Sequence, residues 1–137
     1  MADYAAAYPK FVAAGVVIVA VSVDPPNRSA ALRKDLGIAF PLLSDPSRRT
    51  ITEWGLLNEH EKGGIAIPAT ILIDPGLKVR FSSAEQVARR VAASEMLALV
   101  RGEKSDSAPS QYILNPGLMF LRAVSNALRF GIRVRRE

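Results

Sequence analysis

Ile67-Pro68-Ala69-Thr70-Ile71-Leu72-Ile73-Asp74-Pro75-Gly76-Leu77-Lys78-Val79-Arg80-Phe81 is the stretch that decides the fold. Ala69–Ile73 is apolar without alternation, the pattern of a strand buried on both faces. Asp74-Pro75-Gly76-Leu77 places Pro and Gly at the middle of a four-residue turn, which predicts a type II turn and an antiparallel hairpin into Lys78–Phe81. Downstream, Ser82-Ser83-Ala84-Glu85 has the spacing of a capping box. The predicted helix beyond it carries Ala84, Val87, Ala88, Val91, Ala92, Met96, Leu99 and Val100 on one face and stops at Gly102. Upstream, Val16-Val17-Ile18-Val19-Ala20-Val21-Ser22-Val23 is a second continuous apolar run, predicted to be a central parallel strand buried on both faces.

Between these runs, Asp24-Pro25-Pro26-Asn27 breaks the chain, and a helix is predicted over Ser29–Leu36, closed by Gly37. Phe40–Ser44 reads as a short extended segment whose Pro41 suits an edge. Asp45-Pro46 predicts a helix start, with the carboxylate capping free amides and proline occupying the first turn, and that helix runs to about Trp54 before Gly55. Asn58–Gly64 is polar and reads as a loop. An opening helix over Ala2–Ala14, with Ala7, Phe11 and Ala14 at helical spacing, ends at Gly15. Trp54 and Phe81 are expected in the core. Strands alternating with helices and ending in a hairpin and a helix define an α/β sheet flanked by helices.

The sequence holds 137 residues, 49% hydrophobic and 23% charged, a globular mixture long enough for one well-packed domain. It contains no cysteine, so disulfides, thiolate nucleophiles and cysteine-bound metals are excluded from these residues. Its one histidine, His60, excludes any site built on two imidazoles. Lys and Arg exceed Asp and Glu by five, and nearly all of that excess falls beyond residue 100. An anionic partner is therefore expected to meet the C-terminal end. With no basic-then-apolar leader pattern and no apolar run long enough to span a bilayer, the expected compartment is the cytoplasm.

Val16–Asp24, Leu42-Leu43-Ser44-Asp45 and Ile67-Pro68-Ala69-Thr70-Ile71-Leu72-Ile73-Asp74, in that order, resemble the thioredoxin fold. More narrowly, they resemble the peroxiredoxin-like alkyl hydroperoxide reductase/thiol-specific antioxidant family over about residues 4–101. The resemblance implies a thioredoxin-like sandwich, a central mixed sheet flanked by helices, and a peroxidase or thiol–disulfide oxidoreductase ancestry. In that family the reactive cysteine stands at the start of the first long helix, after the first core strand. By the resemblance this chain begins inside that helix, so the first core strand and the cysteine are expected to be missing. Ile67, Pro68, Ala69 and Thr70 then correspond to a cis-proline loop of a vestigial thiol site. The strand left without its neighbour is expected to be completed by Tyr112-Ile113-Leu114, by a second copy of the chain as a homo-oligomer, or by an upstream segment.

No catalytic residue, cofactor or metal ligand is assigned. His60, between Glu59 and Glu61, has no nucleophile at a readable spacing and reads as a surface residue. Ser22 with Asp24, and Ser44 with Asp45, stand at strand ends where α/β proteins place sites, but read first as turn and helix caps. Asp24, Asp45 and Asp74 match no compact cation loop. Gly63-Gly64 lacks the spacing of a phosphate cradle. The chain divides into a peroxiredoxin-like domain over 1–102, a polar linker over 103–110 and a basic amphipathic tail over 111–137. On a helix from Leu118, Arg122, Arg129 and Arg133 share a stripe with Ser125 and Asn126, opposite a wide apolar arc. Such a helical extension fits docking on its own domain, a protein partner or an anionic membrane; without interleaved aromatics it argues against nucleic acid. The leading expectation is a cysteine-free peroxiredoxin-like protein, inactive alone or part of an active peroxidase. The alternative is a non-catalytic module docking through its tail.

Overall fold

The computed structural model describes residues 1–61, 63–84 and 91–103. The linker beyond Glu103, the tail with Arg122, Arg129 and Arg133, and the positions Val87 and Ala88 lie outside the described residues. The element order is α1 (Ala2–Ala13), β1 (Ala20–Ser22), α2 (Pro26–Asp35), β2 (Leu42–Ser44), α3 (Arg49–Glu53), β3 (Leu57–Asn58), β4 (Ile65–Ala66), β5 (Ala69–Ile73), β6 (Val79–Ala84) and α4 (Ala93–Val100). It is the mixed α/β order expected from the sequence, with the small β3–β4 hairpin added around the predicted loop.

α1 closes where glycine permits. Gly15 takes φ 72°, its N–H donates to Val12 O at 3.0 Å, and Val16 N–H donates back to Phe11 O at 2.9 Å. This pair of bonds satisfies the last carbonyls and turns the chain into the next segment. β1 and β2 then pair in parallel, with Val21 opposite Leu43, joined by α2 as a β-α-β unit. β5 and β6 pair antiparallel from Ala69↔Ala84 to Ile73↔Val79. Two-residue periodicity sends Leu72 to one face and Ile71 and Ile73 to the other. Leu72 packs with Val16 and Ile18 on the cluster of Phe11, Val91, Ala93, Met96 and Leu97, beneath α1 and α4. Ile71 and Ile73 pack with Val23 on the cluster of Ile51, Trp54 and Leu56, built around α3.

α1 and α4 run side by side in the same direction. Their N-terminal ends meet where Asp3 Oδ2 accepts the Ala93 N–H at 2.7 Å and the Tyr4 hydroxyl donates to Val91 O at 3.1 Å. Their C-terminal ends line one open cleft of about 340 Å³, formed by Lys10, Ala13, Ala14, Val100 and Arg101. No helix among the described residues is long and apolar enough to cross a membrane.

Four expectations are corrected. The Val16–Val23 run forms only a three-residue strand and is not buried on both faces; Val17 is 58% exposed and the rest of the run is half-buried. Among the described residues β1 pairs with β2 alone, so one side of this strand has no ladder to hold it extended. The hairpin turn is not type II, because the positive φ falls on Leu77 (61°) and not on Gly76. Leu77 N–H donates to Asp74 O at 2.9 Å, and Arg80 is an extra residue between the Leu72↔Phe81 and Ile73↔Val79 pairs. A left-handed residue followed by a bulge supplies the strand twist that a type II turn lacks. Ser82 opens no helix, since Ser82, Ser83 and Ala84 pair with Ile71, Thr70 and Ala69; the ladder outcompetes the local cap. Finally, α3 starts at Arg49, three residues later than the Asp45-Pro46 signal places it.

Candidate functional site

Asp45 nevertheless does the work its position predicts, from a distance. Only 8% exposed, its carboxylate accepts the N–H groups of Arg49 (3.2 Å), Thr50 (2.9 Å) and Ile51 (3.3 Å) and the Ser47 hydroxyl (3.1 Å). Three free amides of α3 are thereby satisfied by one buried anion. The intervening turn forces Arg48 to φ 58°, and the guanidinium stem of Arg48 lies along Gly64.

The other strand-end hydroxyls are equally committed. Ser22 Oγ donates to Asp24 Oδ2 at 2.7 Å and accepts the Asp24 N–H at 3.1 Å, a closed local loop. Ser44 Oγ donates to Ser29 Oγ at 3.0 Å, and Ser29 Oγ donates to Asp24 O at 3.5 Å. These bonds tie the ends of β1 and β2 to the start of α2. Ser22 meets a carboxylate only two residues away and within its own turn, and Ser44 and Ser29 donate to a hydroxyl and a backbone carbonyl, so the arrangement is that of turn and cap contacts. Exposed His60 lies in the β3–β4 turn, where its backbone N–H donates to Asn58 Oδ1 at 3.2 Å. Asp74 holds its own turn, accepting the Lys78 N–H at 2.9 Å. Among the described residues no three acidic or histidine side chains converge on a point where a metal ion would sit.

Ile67, Pro68, Ala69 and Thr70 run from the β3–β4 hairpin into β5. Ile67 packs on the Ile51–Trp54–Leu56 cluster, Pro68 and Thr70 are half-buried, and Ala69 is exposed. The Ile67–Pro68 bond is trans, as is every peptide bond among the described residues, so the cis expectation is corrected. Ile67 N–H donates to Leu56 O at 2.7 Å, tying the loop to the end of the α3 segment, and trans is the isomer an X–Pro bond ordinarily favours. Sequence reasoning missed the Asp3–Ala93 and Tyr4–Val91 contacts. No spacing rule reaches across 90 residues, and Asp3 reads from sequence only as an acid in its own helix's first turn.

Chemically, then, the described residues present a scaffold with its polar groups engaged in turns and caps. A parallel β-α-β unit, an antiparallel hairpin and a closing helix, with a proline loop entering the hairpin, define a thioredoxin-like fold. Residues 1–82 match the AhpC/TSA family, and the chain belongs to it. It is 39% identical over 61 residues to a curated protein of Mycobacterium tuberculosis that carries a peroxiredoxin name, covering 44% of this chain and 39% of that protein. Among solved structures, reduced Prx3 of Vibrio vulnificus in complex with hydrogen peroxide superposes with a TM-score of 0.66 at 21% identity, covering 73% of this chain and 65% of the other. AhpC of Mycobacterium tuberculosis gives 0.63 at 26% identity, covering 80% and 64%. The chain thus spans less than two thirds of these relatives. It is a peroxiredoxin-like chain whose 137 residues include no cysteine.

Proposed function

We propose that this chain contributes peroxiredoxin architecture without peroxiredoxin chemistry: it is inactive as a peroxidase alone, and takes part in peroxide reduction only where a thiol comes from elsewhere. The observation that carries this reading is the coexistence of the family's fold with a cysteine count of zero. Thiol-based peroxide reduction transfers one oxygen to a thiolate, leaving a sulfenic acid that a second thiol resolves. A serine oxygen cannot take that oxygen, and the hydroxyls at the strand ends are in any case engaged. A cytoplasmic location and self-association belong to the same proposal. The tail-docking alternative rests on Arg122, Arg129 and Arg133, which lie outside the described residues, and no described feature favours it.

The test is peroxide consumption by the purified chain with dithiothreitol in excess. The expected outcome is no turnover above buffer. The three methionines set the limit for stoichiometric loss through sulfoxide formation, so consumption ending at or below three equivalents fits the proposal. Sustained catalytic consumption would overturn it.

A further inference from the structure

The open cleft between the C-terminal ends of α1 and α4 carries two cations that the helices themselves do not need. Lys10, Ala13 and Ala14 follow one another at helical spacing on α1, and Val100 and Arg101 line the same space from the end of α4. Two cations and three apolar side chains thus border about 340 Å³, within the range of small-ligand sites. Cations at a helix C-terminus ordinarily bond the last carbonyls. Here backbone amides already do so. Lys10 O accepts the Ala14 N–H at 3.1 Å, Val12 O the Gly15 N–H at 3.0 Å and Phe11 O the Val16 N–H at 2.9 Å. At α4, Leu97 O accepts the Arg101 N–H at 3.1 Å, Leu99 O the Gly102 N–H at 3.1 Å and Ala98 O the Glu103 N–H at 2.9 Å. The ion pairs among the described residues join Arg49 to Glu53 and Arg80 to Asp74, and neither cleft cation takes part.

Charge and surface together select a ligand. Each helix end contributes roughly half a negative charge, whereas the two side chains contribute two full positive ones, so the cleft is cationic by roughly one unit. Glu103, the acid nearest to Arg101 in sequence, is exposed and does not line the cleft. A bare inorganic anion would leave the alanine and valine methyl groups wet, and a neutral apolar molecule would leave the cations without a partner. We infer that the cleft is a binding site for an aliphatic carboxylate of short to medium chain length. Its head bonds to Lys10 Nζ and to the Arg101 guanidinium, whose planar fork matches both carboxylate oxygens. Its alkyl chain lies against Ala13, Ala14 and Val100, where each buried methylene strengthens binding by up to about fourfold. None of Ile67–Thr70 lines the cleft and no thiol is required, so the site stands independently of the missing peroxidase chemistry.

The test is titration of the isotopically labelled full chain with sodium butyrate, hexanoate and octanoate, read by amide chemical shifts. The expected result is saturable shifts centred on Lys10–Ala14 and Val100–Gly102, with affinity rising about two- to fourfold per methylene. Lys10→Gln and Arg101→Gln should each weaken octanoate binding about threefold, and the double variant about tenfold, the scale of exposed charge pairs. Both side chains are exposed, so these variants are expected to keep the native circular dichroism. Ala13→Phe, which fills the cleft from an exposed position, should abolish the dependence on chain length and leave the weaker attraction of the charges. Inorganic phosphate binding as tightly as octanoate would overturn the proposal in favour of a simple basic patch. Hexan-1-ol binding as tightly as hexanoate would overturn it in favour of a merely apolar surface. A flat chain-length series, shifts centred elsewhere, or undiminished binding by the double variant would each overturn it as well. Because the readout is binding, peroxide turnover by the chain would leave this site standing, and failure to bind would leave the peroxidase reading standing.

Discussion

The two hydrophobic clusters are built on opposite plans. The Ile51–Trp54–Leu56 cluster takes its buried residues from one short stretch of chain, with Leu56 N–H bonding back to Ile51 O at 2.7 Å. The Phe11 cluster joins the two ends of the described chain, Phe11 from α1 against Val91, Ala93, Met96 and Leu97. Local order comes cheaply in conformational entropy, whereas the long-range core must close a loop of some eighty residues before its contacts count. The fold therefore adds polar ties at the long-range seam and turn geometry at the local one. The Tyr4 and Asp3 bonds to Val91 and Ala93 latch the seam, and the Asp45 carboxylate organises the local core.

Truncating the seam should do the most damage. Phe11 is fully buried and stacks on Tyr4 at 5.7 Å, so Phe11→Ala is expected to cost about 4 kcal/mol, read as a fall in the urea midpoint. Loss of protection in α1 and α4 before α3 would confirm that the seam opens first; simultaneous loss everywhere would erase the distinction between the clusters. Ile51→Ala should cost somewhat less, about 3 kcal/mol, and lower protection in α3 and the β3–β4 hairpin most. Asp45→Ala should cost about 2 kcal/mol by leaving α3 amides without their acceptor, while Asp45→Asn keeps part of that stability.

How much of this was legible follows the same division. Ala69–Ile73 reads as a strand with its observed limits because β-branched continuity is a local signal. Gly15 and Gly37 mark helix ends for the same reason, and Asp45 declares itself a cap by side-chain chemistry alone. The thioredoxin-like class and the family were legible from three ordered motifs. What failed depended on partners distant in sequence or on competition between local options. Val16–Val23 has the composition of a buried strand, but composition cannot report whether both neighbours are present. Ser82 has cap chemistry, but the ladder to Ile71 took it. The proline loop was legible as a position, its isomer was not, since tertiary context selects the isomer of an X–Pro bond in an ordered loop.

Smaller effects sharpen the comparison further. Asp3→Ala should cost about 1 kcal/mol, the usual scale for losing a helix cap, with the change in hydrogen exchange confined to the first turn of α4. A global change would show that the latch carries more than a cap. Leu77→Gly is expected to stabilise the chain by up to about 1 kcal/mol, because glycine relieves the left-handed strain at φ 61°. A thermal midpoint that falls instead would mean that the half-exposed Leu77 side chain contributes more than its backbone strain removes.

The shared direction of α1 and α4 has an electrostatic consequence. Antiparallel helices cancel their dipoles, whereas two parallel ones add them, concentrating positive potential at one end of the pair and negative potential at the other. Asp3 and Glu95 stand in the first turns, and Lys10 and Arg101 line the far cleft, each opposing the local excess. The pair is thus a trimmed dipole. Added salt, which screens both the like-end repulsion and the charges that offset it, should leave its stability nearly flat.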